Sequence, residues 1–349
     1  MLYLTKDIPR RTYSIFATSK ENNHMRLTKR QKRWSISLIF LAIFLSFALY
    51  PLPLSQPVKY YERETGRLKV ENIAGENWLI WLYYNPVGEA TLWTVARRKI
   101  VSSIYGDMMD SPSSADKVAP FIKEYKVDIS IAKKNRFTTF NDFFTRELKD
   151  SARPVIKDSS TIVSPADGKI LAYENINNAD FYIKGTRFQV ATFLNNPKLA
   201  RKYENGTLIV VRLAPPDYHR YHFPVDGEIT ASQLINGDYY SVNPLALREM
   251  ADVFWKNKRE YTVIESPHAG KVIMSEVGAT LVGSIIQTYR GSAVEKGAEK
   301  GYFKFGGSTV VLFFENGKIK VDDDLLANTS KGRETTIKMG ARIATGLVK

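Results

Sequence analysis

A serine preceded by two glycines, in Phe305-Gly306-Gly307-Ser308-Thr309-Val310, is a place where a chain can cut itself. The glycines strip Cβ bulk from around the Gly307 carbonyl and tolerate strained backbone. Ser308 carries a hydroxyl able to attack that carbonyl. An unassisted hydroxyl is a weak nucleophile near neutral pH, so the reaction needs a general base, and histidine is the natural one. Two of the chain's four histidines, His219 and His222, stand three residues apart in Ala214-Pro215-Pro216-Asp217-Tyr218-His219-Arg220-Tyr221-His222-Phe223-Pro224. A further polar segment, Ser164-Pro165-Ala166-Asp167-Gly168-Lys169, offers a carboxylate at Asp167.

Each piece also has a plainer explanation. The Gly-Gly-Ser run reads as a turn entering a buried strand over 309–314, and Ser-Pro-Ala-Asp-Gly is a good β-turn sequence. On a helical turn His219 and His222 would suit a metal, and a metal-dependent hydrolase is one reading of the pair. The neighbouring aromatics and Pro224 argue instead for strand or loop. Zinc would want a third ligand, and the chain has no cysteine. His268 lies in a Ser-Pro-His-Ala-Gly turn and His24 in a polar leader, so both read as surface residues and no metal is expected.

Taken together and in this order, the three segments resemble the signatures of the phosphatidylserine decarboxylase proenzymes. The likeness extends to Phe140-Asn141-Asp142-Phe143-Phe144-Thr145-Arg146-Glu147-Leu148 with Arg153-Pro154, to Ser241-Val242-Asn243-Pro244, and to Val277-Gly278-Ala279-Thr280-Leu281-Val282-Gly283-Ser284-Ile285. It runs from about Leu68 to about Gly346. Gly306 is a departure, since many family members carry Leu there, and slightly altered cleavage kinetics are the most it implies.

The resemblance implies a mechanism. Ser308 attacks the Gly307 carbonyl to give an ester, β-elimination leaves dehydroalanine, and hydrolysis yields a covalent pyruvoyl group and ammonia. The products are a β chain, 1–307, and an α chain, 308–349. His222 is implied as the base and Asp167 as the group that orients it, a Ser-His-Asp constellation recognised by role. The pyruvoyl group forms a Schiff base with the lipid's serine amine and accepts electrons as CO2 leaves, so neither pyridoxal phosphate nor metal is needed. His219 is implied as the proton donor to the resulting carbon, and phosphatidylethanolamine as the product. The implied partners are phosphatidylserine, the bilayer, and the two chains of one precursor in a homodimer of heterodimers. A related phosphoserine-headed lipid as substrate, and a non-catalytic membrane-tethered homologue, are the alternatives.

The elements around these residues begin with a strongly basic leader. Of the net charge of +14, half sits in residues 1–33, which hold nine Lys/Arg against Asp7 and Glu21. An uncharged run from Trp34 to Val58 follows, apolar to Tyr50 and then Pro51-Leu52-Pro53-Leu54. Its length and its aromatic ends read as a single transmembrane anchor over 34–54, in a bacterial cell membrane or a mitochondrial inner membrane. A signal peptide would want a small-residue cleavage site, and a core helix would show a polar stripe; neither is present. Met25 opens a compact basic leader of its own, so 1–24 reads as an extension or an organellar presequence. The positive-inside rule puts the catalytic part across the membrane, whereas bacterial family members are regarded as acting at the cytoplasmic face. The side stays open.

Residues 55–155 read as a membrane-proximal helical region, interrupted at Asn85-Pro86 and Asp110-Ser111-Pro112, whose helices rest on the bilayer surface and guide lipid. Thr139, with Asp142 three residues on, reads as a helix cap. Over 156–349 short apolar strands are expected at 208–213, 261–264, 272–274, 281–286 and 310–314, with one helix over 189–203. The fold class is α+β, helices first and an antiparallel β-rich catalytic domain after. The chain carries no internal repeat, no phosphate-binding glycine loop and no nucleic-acid motif, and no nucleic-acid partner is expected.

Overall fold

A computed structural model describes residues 28–54, 56–176, 182–183, 186–250, 253–279, 285–306 and 308–348. The leader 1–27, the expected strand residues 281–284 and Gly307 lie outside the described residues. The chain divides into two compact units, Met1–Leu49 and Tyr50–Lys349. In the first, the helix Lys29–Ala48 is opened by a capping box in which the Thr28 side chain accepts from Gln31 N and the Gln31 side chain accepts from Thr28 N. Its 20 residues are long and apolar enough to cross a membrane, at a length of about 30 Å.

The second unit is built on a sheet that has ten strands among the described residues. Its centre runs Gly227–Ile235, Arg259–Ser266, Gly270–Val277, Ser308–Phe314, Gly206–Leu213 and Gly168–Ile176, each antiparallel to the next. Both faces are covered. Leu208, Val210, Val311 and Phe313 face a core with Phe188, Phe193, Leu82 and Leu92, while Ile209, Val211, Val310, Leu312 and Phe314 face a second with Tyr221, Phe303, Leu325 and Ile343. That explains the unbroken apolar run from Val310 to Phe314, since a strand buried on both sides has no polar face to show. The α+β class and the antiparallel character stand, with one parallel pair between Lys59–Glu62 and Glu334–Ile337.

Two expectations are corrected. Residues 59–70, read as helical, form a hairpin of Lys59–Glu62 and Arg67–Val70 that extends the sheet edge. Gly66, at φ +67°, makes the turn, and only four residues stand on each side, too few for a helical repeat. The single helix over 189–203 is three short pieces, Val190–Leu194, Pro197–Ala200 and Arg201–Tyr203. Asn195 takes a left-handed conformation with φ +47° and Pro197 follows, so the first piece stops there. The helix breaks at Asn85-Pro86 and after Asp110 fall where expected, and Thr139 Oγ1 accepts from Asp142 N at 3.0 Å.

Candidate active site

The motif segments meet at one end of the large sheet. Strand register pairs Ser308 with Leu213 and Lys169 with Arg212, and Ile337 lies opposite Gly168. The start of the Ser308 strand, the end of the strand leading into Ala214-Pro215, and the bend that ends at Asp167 therefore share one edge. Gly168 has φ +154°, and a Cβ there would fall 2.3 Å from the Arg212 carbonyl oxygen, so only glycine permits this approach. The backbone N–H of His222 donates to Pro165 O at 2.7 Å, joining the two polar segments directly.

Ser308 is fully buried and its Oγ has no hydrogen-bond partner among the described residues. Gly306, at φ +137°, occupies backbone that a side chain disfavours. His219 is also fully buried. Its Nδ1 lies 2.9 Å from the Asp217 carbonyl, which can only accept, so Nδ1 carries the proton and Nε2 is left as a bare lone pair with no partner. Burial pushes the His219 pKa down to about 3, while the nearby Gly306 backbone works weakly the other way. The Phe144 ring packs on the imidazole with centroids 3.8 Å apart.

His222 uses the same tautomer. Nδ1 donates to Gly297 O at 2.9 Å, and the Tyr218 hydroxyl, 3.2 Å away, donates to Nε2. Burial holds its pKa below the ordinary histidine value. Asp167 favours the charged His222 electrostatically, yet no hydrogen bond joins them. Instead the Asp167 carboxylate is gripped by the Arg153 fork, with Nε 2.8 Å from Oδ1 and Nη2 on Oδ2, and accepts from Met339 N at 2.8 Å. Arg153, Tyr218, His222 and Met339 line one cavity of about 270 Å³. The structure thus gathers Asp167, His219, His222 and Ser308 at one sheet end without a hydrogen bond from Ser308 Oγ to either histidine.

The segment from Phe140 to Arg146 has roles that sequence reasoning missed. Its helix, Phe140–Phe144, packs Phe140 and Phe144 on Phe305, with centroids 4.9 and 5.0 Å apart. Asn141 Oδ1 accepts from Phe305 N at 2.8 Å, three residues before Ser308. Arg146 and Arg153 bring guanidinium groups to the site. The available signal was the presence of Asn141 and Arg146 beside the three aromatics Phe140, Phe143 and Phe144. Among the described residues no cluster of three or more His, Asp or Glu side chains is arranged to hold a metal.

The residues fit a group made from Ser308. Its Oγ and that of Thr309 are buried and unpartnered, at the edge where His219 presents a free lone pair. The phosphatidylserine decarboxylase family profile matches residues 140–345. The phosphatidylserine decarboxylase proenzyme of Fusobacterium nucleatum is 48% identical over 291 residues, covering 82% of this chain and 97% of that protein. Proenzymes of the same name from Clostridium botulinum and Desulfitobacterium hafniense are 48% and 46% identical over 290 residues each, covering 82% of this chain and 98% and 97% of theirs. With the family profile matching residues 140–345 and identity at this level over 82% of its length, the chain belongs to the phosphatidylserine decarboxylase family.

Proposed function

We propose that the chain cuts itself between Gly307 and Ser308 and then decarboxylates phosphatidylserine to phosphatidylethanolamine. The observation that carries this reading is the buried, unpartnered Ser308 Oγ at the sheet edge it shares with His219, His222 and Asp167. In the cut, Ser308 Oγ attacks the Gly307 carbonyl carbon, the peptide C–N bond breaks and an ester forms. Elimination releases the Gly307 carboxylate, and water converts the dehydroalanine left at 308 to a pyruvoyl group with loss of ammonia. When formed, that group supplies a carbonyl that takes up the substrate amine and draws off the electron pair as CO2 leaves.

The chain's own residues do the rest. Two neutral imidazoles stand ready to accept protons at neutral pH, since burial lowers both pKa values. Family analogy gives His222 the serine proton and His219 the later proton delivery to carbon. Asp167 bears on His222 through its field and through Arg153, which lines the same cavity. A second reading is favoured by one observation: His219 Nε2 is free beside Gly306, whereas His222 Nε2 already receives the Tyr218 hydroxyl. On that reading His219 is the base of the cut.

Domains follow this chemistry: a leader 1–33, an anchor 34–54, a membrane-proximal region 55–155 and a catalytic domain 156–349. The α chain, 308–349, stays bound after the cut because the strand Ser308–Phe314 is buried along its whole length between two others. Exposed Ile100, Ile104 and Met108 on the helix Lys99–Asp110 support a region that meets lipid.

Intact mass under denaturing conditions tests the reading. The wild type should give two chains divided at 307 and 308, the smaller with pyruvoyl in place of serine. Ser308→Ala should give one uncut chain and no CO2 release; cleavage that persists in Ser308→Ala overturns the proposal. His222→Ala should stay uncut and His219→Ala should mature yet turn over poorly; the reverse pattern selects the second reading.

A further inference from the structure

Arg146 is only 4% exposed, yet no carboxylate lies within ion-pair distance of its guanidinium among the described residues. Nη2 donates to the carbonyls of Pro216 and Asp217, at 3.1 and 3.4 Å, while Nε and Nη1 are buried with no acceptor among the described residues. The guanidinium carbon lies 5.0 Å from the Phe143 ring centroid, and Asp167 and Asp217 favour the charge through their field without an ion-pair contact. A buried charge without a partner is unfavourable and persists where something else fills the vacant donors.

The surroundings say what that is. Arg146 lines a cavity of about 490 Å³ together with Arg153, Asp167, Lys169, Asp217 and Tyr218. Of the other cations there, four are paired: Arg153 with Asp167, Lys169 with Glu71, Arg63 with Asp322 and Asp324, and Lys338 with Glu64. Lys126, exposed at the same cavity, has no carboxylate partner among the described residues. The carbonyl of Asp217 that receives Arg146 Nη2 also receives His219 Nδ1, so the vacant guanidinium edge is one carbonyl away from the imidazole beside Gly306.

We propose that Arg146 is the anion-binding residue of the site and holds the phosphodiester of the lipid headgroup, a reading that rests on the function proposed above. A phosphodiester offers two oxygens to a planar fork and keeps its charge throughout the reaction. The headgroup carboxylate is the poorer partner, because a guanidinium on it would stabilise the charge that must drain away as CO2 departs, favouring ground state over transition state.

The test needs no turnover. Full-length Ser308→Ala chain, kept uncut, is titrated calorimetrically with glycerophosphoethanolamine, which has the phosphodiester and no carboxylate, and separately with glycerophosphoserine. Adding Arg146→Gln should weaken both by about ten- to a hundredfold, and Arg146→Lys by about tenfold, the range for hydrogen bonds to a charged group. Equal affinity with and without Arg146 overturns the proposal, as does absence of binding by the parent. A loss confined to glycerophosphoserine also overturns it, by moving the guanidinium to the carboxylate. If Arg146→Gln does not fold, the Arg146→Lys titration decides alone. A wild type that neither cuts itself nor releases CO2 sinks the decarboxylase reading on separate grounds.

Discussion

On the proposed function, Ser308 Oγ, His219 Nε2 and His222 Nε2 are the three atoms whose protonation governs the cut. Both imidazoles are buried with Nδ1 committed to a carbonyl, so only Nε2 is available to take a proton. The pH dependence of self-cleavage follows from the direction of their shifts. Protonation removes the base, and burial lowers the pKa of each, to about 3 for His219. The cleavage rate of freshly synthesised precursor should therefore be level from pH 8 through about 6.5, where an ordinary histidine would already be half protonated. Decline should begin only at lower pH. Band intensities after timed incubation across that range measure it, and a half-loss at about pH 6.5 would count against either buried imidazole as base. Stability runs the same way. The unfolded histidines take up protons near pH 6.5 and the folded ones resist, so folded precursor loses stability as pH falls below that value.

The short helix Phe140–Phe144 holds the chain just ahead of the bond proposed to be cut. Asn141 is 3% exposed and works in two directions, accepting from Phe305 N at 2.8 Å and donating to Asp110 Oδ1 at 3.0 Å. Asn141→Ala leaves the Phe305 N–H without its acceptor, at a cost of about 1–3 kcal/mol. Where that cost falls on the conformation that is cut, maturation should slow about ten- to a hundredfold with the circular dichroism spectrum unchanged. Maturation of Asn141→Ala at the parental rate would remove the helix from the cutting machinery. This element also marks where sequence reading stops. Ser308, His219, His222 and Asp167 stand in short local motifs, and the family resemblance carried by those motifs is what singled them out. Asn141 acts on a residue 164 positions away and Arg146 on one 70 positions away, so their partners exist only once the sheet is assembled. The strands expected at 208–213 and 310–314 were legible because both faces are buried and each carries a run of apolar residues, 208–211 and 310–314. The hairpin at 59–70 was not, because two four-residue strands leave too little pattern to outweigh the helical periodicity that follows.

A whole molecule that acts on a bilayer lipid needs a surface that meets the bilayer, besides the apolar helix Lys29–Ala48. In the second unit Ile100, Ile104 and Met108 recur every four residues along the helix Lys99–Asp110, at 67%, 56% and 53% exposure, and Trp78 on the helix Glu76–Tyr84 is 54% exposed. Isolated apolar residues on a surface mean little, but a stripe at helical spacing gives one face of the helix an affinity for the acyl boundary. Self-cleavage is intramolecular and owes nothing to that face, whereas delivery of lipid from a vesicle does. Replacing Ile100 and Ile104 together by Asp removes two apolar side chains from the stripe and adds two charges that repel anionic lipid. The double variant should mature to the same two chains at the parental rate. Its CO2 release from vesicles of phosphatidylserine should fall about tenfold or more, while release from a short-chain phosphatidylserine dispersed in detergent stays near parental. Equal loss on both substrates would assign the defect to the catalytic core, and no loss on vesicles would leave the bilayer contact to the helix Lys29–Ala48.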